Sequence, residues 1–271
     1  MKIFLLDTYI SLTHSSLGLQ YIRGCALQDK ELNKCLEIKI QSLPIKFLTN
    51  ITNSKFIHAR ILEEIIDFRP DIIGLSCYVW SLKEFLNLSQ FLKVYIPGVK
   101  IILGGPEVSF FPIAKEILTG VPGIDFIIMG EGEIPFQKII KLLLGKQTGS
   151  IADIPGITFR KSSTEIVDGG YGEILDNIDD IPSPYLNGTF SLASECILME
   201  TYRGCLNKCS YCSWSVKKHR RFNMKRIISE LDVLIDCEMP FIYLIDSVFG
   251  PNRKRCEQIL NFIIQKTSRQ R

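Results

Sequence analysis

The chain has 271 residues, enough for one large domain or two modest ones, and its 46% hydrophobic and 23% charged residues describe an ordinary soluble globular protein. No stretch approaches the length of a membrane span, and Met1-Lys2-Ile3-Phe4-Leu5-Leu6-Asp7 lacks the long apolar run and cleavage site of a secretory signal. Nine cysteines, an odd number in a chain this long, exclude a disulfide framework and predict a cytoplasmic protein with reduced thiols. The net charge of +3 hides an asymmetry, because residues 201–271 carry 14 Lys and Arg against 6 Asp and Glu.

From the N-terminus, short apolar runs alternate with amphipathic stretches, the sequence sign of a parallel α/β sheet. Strands are predicted at Lys2–Leu6, Leu36–Leu43, Ile72–Tyr78, Lys100–Leu103 and Asp125–Met129. Helices are predicted near residues 16–29, 56–68, 82–95, 111–119 and 134–144. Ile61, Leu62, Ile65 and Ile66 form the stripe of a helix packed on a sheet, and Pro70 and Gly98 close their helices. Five strands and five helices fit a flavodoxin-like, doubly wound parallel sheet of order 2-1-3-4-5.

Ligands of such sheets bind beyond the carboxyl ends of the strands. Here those ends are Asp7-Thr8, Ser76-Cys77-Tyr78, Gly104-Gly105-Pro106-Glu107 and Gly130-Glu131-Gly132-Glu133. Glycines there either make tight turns or let a ligand approach the backbone closely, and two glycine-rich ends side by side favour the second reading. Gly105 is expected to leave room for the ligand.

Residues 146–195 read as a connector, with a small hairpin over Gly156–Arg160 and Thr164–Val167 and a proline-broken stretch from Asp176 to Pro184. The predicted organisation is therefore 1–145, 146–195 and 196–271. In the last part, a strand at Cys196–Glu200 feeds a cysteine-rich loop, followed by a helix at Phe222–Asp236, a strand at Phe241–Ile245 and a helix at Asn252–Lys266. That order, with chemistry at strand C-termini, is that of a TIM-type barrel.

The cysteine loop carries Cys205, Cys209 and Cys212, spaced x3 then x2, which can turn three soft sulfur ligands toward one metal centre. A closed structural site wants four ligands, whereas three and a gap leave a position for chemistry. A three-thiolate iron–sulfur cluster would keep one iron free. Zinc is the rival, with His219 as a distant fourth ligand. The run Lys217-Lys218-His219-Arg220-Arg221 reads as a solvated face, or as an attractor of anionic substrate or nucleic acid.

Cys205-x3-Cys209-x2-Cys212, with Tyr211 just before the last cysteine and Arg203-Gly204 before the first, resembles the signature of the radical S-adenosylmethionine (SAM) enzymes. The resemblance implies a 4Fe–4S cluster on the three cysteines, SAM on the open iron, Tyr211 lying against SAM, and Asp246 near it at a strand end. An α/β domain ending in Gly-Gly-Pro-Glu and Gly-Glu-Gly-Glu ahead of that motif resembles the cobalamin-binding domain of the cobalamin-dependent branch. It implies cobalamin contacts from Ser76, Gly104, Gly105, Pro106, Glu107, Gly130, Glu131 and Gly132. The His motif that ligates cobalt in many such domains is not matched: His14 is misplaced and reads as a helix-opening residue, so a His-off cobalamin is expected.

The implied chemistry is reductive SAM cleavage followed by methyl transfer, ring formation or another rearrangement on an unknown small-molecule or peptide substrate, with an external electron donor. No residue is assigned as catalytic. The radical SAM barrel normally has six βα units; two are present, so the resemblance implies its N-terminal part only, truncated and weakly active alone. The alternative function is a non-catalytic corrinoid- or nucleotide-binding module with zinc on the cysteine loop.

Overall fold

A computed structural model describes residues 1–9, 16–44, 61–162, 164–190, 196–207, 209–212 and 218–268. The chain divides into two compact units, the first reaching Glu173 and the second taking in Ile174 onward.

Seven strands make the sheet of the first unit, in the order β2-β1-β3-β4-β5-β6-β7. β1 (Lys2–Tyr9), β2 (Glu37–Pro44), β3 (Ile72–Ser76), β4 (Lys100–Gly104) and β5 (Phe126–Ile128) run parallel. The predicted strand order 2-1-3-4-5 is the observed one. Side chains of a strand alternate between faces, so a parallel strand buried on both sides must be apolar throughout. Phe4, Leu6, Ile73, Leu75, Ile101 and Leu103 enter one core, with Ile65, Phe85, Leu92 and Leu118 from helices. Their neighbours Ile3, Leu5, Ile72 and Ile102 enter a second core on the opposite face, with Leu19, Ala26, Phe136 and Ile140. Helices Leu17–Gln28 and Glu133–Leu143 thus cover one face; residues 61–68, Leu82–Tyr95 and Phe111–Gly120 cover the other.

The hairpin of β6 (Ile157–Arg160) and β7 (Ile166–Val167) is not part of a connector. It extends this sheet, β6 pairing antiparallel with β5 through Phe126↔Phe159, Ile127↔Thr158 and Ile128↔Ile157. The first unit accordingly runs past the predicted boundary at residue 145. Gly169 allows this closure, since a Cβ there would lie 2.2 Å from the Ile157 carbonyl oxygen.

In the second unit, β8 (Cys196–Met199) pairs parallel with β11 (Phe241–Leu244), in register Cys196↔Phe241 to Met199↔Leu244. Between them, β9 (Tyr202–Arg203) and β10 (Arg220–Arg221) form an antiparallel pair that the sequence reading did not foresee. Helix Met224–Asp236 buries Ile227, Leu231, Leu234 and Ile235, and helix Arg253–Ser268 buries Cys256 and Ile259. Asn223 caps the first of these helices by accepting from the Lys225 amide at 2.9 Å. Among the described residues no helix is long and apolar enough to cross a membrane.

Candidate functional site

The carboxyl edge of the first sheet is set by register. Ser76 lies opposite Gly104 at the ends of β3 and β4, and Asp7 lies one position past the Leu6↔Leu75 pair. Beside them Tyr78 and Trp80 stack with ring centroids 4.9 Å apart. The Trp80 indole N–H donates to the Thr8 hydroxyl at 3.0 Å, tying the β1 and β3 ends together. The Tyr78 hydroxyl bonds to the Ser76 side chain; burial first, then the nearby Asp7 carboxylate, pushes its pKa up.

The glycines divide into different roles. At Gly105, φ is +100° and a Cβ would lie 2.6 Å from the Cys77 carbonyl oxygen. Its missing side chain therefore makes room for the protein's own backbone. Cys77 N donates to Gly104 O at 2.7 Å and Glu107 N donates to Cys77 O at 3.3 Å, so the two strand ends are laced together. Gly130, with φ +99°, yields to the Tyr171 ring, 2.7 Å from a would-be Cβ, and Gly132 yields to Ile22 at 3.2 Å. Gly104 alone of these four has nothing within 4 Å of a built Cβ. It borders open space.

Ser109, which the sequence reading missed, joins the two glycine loops. Its hydroxyl donates to Gly105 O at 2.7 Å and accepts from Gly130 N at 3.2 Å. Pro106 and Glu107 form a short 3-10 turn, and Glu131, in the second glycine loop, is half-buried. His14 lies outside the described residues.

In the second unit the cysteine loop leaves the end of β8. Cys205, Cys209 and Cys212 are half-buried and in no disulfide, and Tyr211 is 91% exposed. Asn207 N donates to the Cys205 sulfur at 3.4 Å and Cys212 N to Cys209 O at 3.1 Å. Among the described residues no group of three or more His, Cys, Asp or Glu side chains is placed to hold a metal ion. The donor set, three cysteines within eight residues, still suits a cluster, since thiolates are the usual iron–sulfur ligands.

The start of this loop is held from two sides. The Asp246 carboxylate accepts from Thr201 N at 2.6 Å, from Tyr202 N at 3.0 Å and from the Thr201 hydroxyl. Asp246 is thus engaged in loop capping at its strand end. Arg255, 8% exposed, donates to Phe222 O at 2.6 Å and to Thr201 O at 3.4 Å. Its guanidinium lies 4.9 Å from the centre of the Tyr202 ring, whose other stacking partner is His219 at 4.9 Å. The buried pair Glu200–Arg203, at 3.1 Å, closes the turn. Apart from Glu200–Arg203, these contacts link residues far apart in sequence, and only Asp246 carried a signal, as a carboxylate at a strand end.

The basic run is not a simple solvated face. Lys218 is exposed, but Arg220 is buried and donates to Leu175 O at 2.6 Å, and His219 is half-buried.

Residues 9–140 match the B12 binding domain family. The chain is 31% identical over 203 residues to the cobalamin-dependent radical SAM methyltransferase TokK of Streptomyces tokunonensis, covering 70% of this chain and 29% of that protein. It is 30% identical over 193 residues to the 2-(S-pantetheinyl)-carbapenam-3-carboxylate methyltransferase of Streptantibioticus cattleyicolor, covering 67% and 28%. The fold is similar to that of the cobalamin-dependent SAM radical enzyme OxsB with aqua-cobalamin bound, at a TM-score of 0.70 and 20% identity over 98% of this chain and 37% of that one. The chain thus carries a B12-binding domain and is a relative of the cobalamin-dependent radical SAM methyltransferases. It spans under a third of the length of the two curated relatives.

Proposed function

We propose that the chain is the cobalamin-holding and cluster-bearing part of a radical SAM enzyme of the methyltransferase type. One observation carries the reading. Three cysteines within eight residues follow the carboxyl end of a parallel strand, in a chain whose preceding residues match the B12 binding domain family. In this reading Cys205, Cys209 and Cys212 hold a 4Fe–4S cluster, and the second unit is the first two βα units of a radical SAM barrel. When bound, the cluster supplies the electron for reductive cleavage of SAM, and cobalamin supplies a carrier for the methyl group.

The chain's own residues do the holding. Asp246 and Arg255 fix the backbone at Thr201 and Tyr202, so the cysteine loop starts from a set position. Gly104 and Ser76 face the open end of the sheet, where a flat macrocycle can approach the backbone, while Gly105, Gly130 and Ser109 keep that edge in shape. Tyr211, exposed on the loop, is the aromatic group available to SAM.

Anaerobic reconstitution with iron and sulfide tests this. About four irons per chain and broad thiolate-to-iron absorption are expected. Replacing Cys205, Cys209 or Cys212 by Ala should each abolish the colour, whereas Cys237→Ala should not. Cobalamin added to the same protein should bind in a His-off form. Stoichiometric zinc without a cluster would overturn the reading in favour of a metal-stabilised corrinoid-binding module.

A further inference from the structure

Beside the cysteine loop, within the second unit, lies an open cavity of about 260 Å³. Leu206, the residue after Cys205, forms one wall, and Pro251 and Asn252, just ahead of helix Arg253–Ser268, form another. His219, Arg220, Arg221 and Tyr202 complete it.

Its lining holds polar groups that the fold does not use. Tyr202 is only 2% exposed, and its hydroxyl is buried without a hydrogen-bond partner. His219 Nε2 is likewise buried and unpartnered. Buried polar atoms are nearly always satisfied in native proteins, so two orphans on one cavity call for a ligand or ion. Arg221 is exposed and has no ion pair among the described residues. Asn252 accepts from Arg255 N at 3.0 Å through its side-chain oxygen, which leaves its amide N–H groups as donors. The positive end of a 16-residue helix faces the same space.

We propose that this cavity binds a phosphoryl group, presented by a ligand that reaches the cysteine loop. The chemistry of the lining selects it. Cationic and N–H or O–H donors predominate, and the lining includes no carboxylate. Arg221 can pair bidentately with an oxyanion. Burial, and then the neighbouring Arg221, push the pKa of His219 down, so the ring is neutral near pH 7 and can donate from Nε2. Burial also pushes the Tyr202 pKa up, keeping its hydroxyl protonated as a donor. The volume is at or below the lower end for drug-sized ligands, so it fits the anionic end of a molecule rather than all of it.

The test needs neither cluster nor cobalamin, so it stands or falls separately from the function proposed above. Inorganic phosphate is titrated into the purified chain at constant ionic strength set with chloride, read by calorimetry, with acetate as the carboxylate arm. Saturable phosphate binding is expected, with acetate at least tenfold weaker. Arg221→Gln should weaken phosphate at least tenfold. Tyr202→Phe keeps the ring stack and removes only the orphan hydroxyl, so it should weaken phosphate several-fold while leaving the melting temperature equal or higher. A purely structural Tyr202 could not give those opposite signs. Absence of saturable binding by the wild type, wild-type affinity in both variants, or acetate binding as tightly as phosphate would each overturn the proposal.

Discussion

The two units bury their strands by different means. In the first, β1, β3 and β4 are apolar on both faces and lie between two layers of helices. In the second, β11 is open, with Phe241 60% and Tyr243 62% exposed, and the interior is fastened by charge. Arg203, Arg220, Glu230 and Arg255 are all buried there and bonded to carbonyls or to each other's neighbours. A hydrophobic core tolerates loss of one contact in proportion to area, whereas a buried charge that loses its partner is costly at once. The first unit should therefore fail by steric intrusion and the second by loss of a single polar contact.

The largest effect is expected at Gly105. A Val there meets the Cys77 backbone and must adopt a φ of +100°, which together should cost about 4 kcal/mol. Urea unfolding followed by segment-resolved hydrogen exchange should show the loss in the first unit. The sharpest contrast is its neighbour: Gly104→Ala should change stability by less than about 1 kcal/mol yet weaken cobalamin, because its methyl enters open space. Equal behaviour of the two variants would dissolve the distinction between packing glycine and cradle glycine.

Next in size is Asp246→Ala, which strands the Thr201 and Tyr202 amides and should cost about 2 kcal/mol. Exchange should quicken in the second unit alone, and cluster yield on reconstitution should fall with it. Ser109→Ala, cutting the bridge between Gly105 O and Gly130 N, should cost about 1 kcal/mol in the first unit.

The smallest effect is a pH dependence. Burial raises the pKa of Glu230 above its ordinary value, against the opposing pull of Arg226. A raised folded-state pKa means the folded protein binds the proton more tightly, so the contribution is full below the unfolded value and lost as pH rises through the folded one. Comparing Glu230→Gln with wild type from pH 4 to 8 should show the wild type losing stability relative to the variant over the lower part of that range, just above the ordinary glutamate pKa. No change in the difference would mean that burial does not raise the Glu230 pKa in the folded protein.

Local patterning accounts for how well the first sheet could be read. Alternating apolar runs and glycine punctuation act over a few residues, so strands such as Lys100–Gly104 and the helix Leu82–Tyr95 emerge close to their predicted bounds. The β6–β7 hairpin was visible, but not its attachment, because pairing Phe159 with Phe126 is a long-range choice that two short strands do not advertise. Gly105 has a reason for its missing side chain that the sequence does not display, the crowding backbone of Cys77. The Arg255–Tyr202–His219 stack and the Ser109 bridge gave no signal, since each joins residues whose neighbours in sequence say nothing of the partner. Cys237 is exposed at the end of its helix.

Burial sorts the nine cysteines for a chemist with an alkylating reagent. Cys25, Cys77, Cys196 and Cys256 are inside, and burial moves the Cys77 thiol far above the range where thiolate forms. That leaves Cys35, Cys237 and the three loop thiols within reach of the reagent. In a variant lacking Cys35 and Cys237, mass added by brief labelling of the folded chain would count unliganded loop sulfurs directly, and iron uptake would be read as protection from modification.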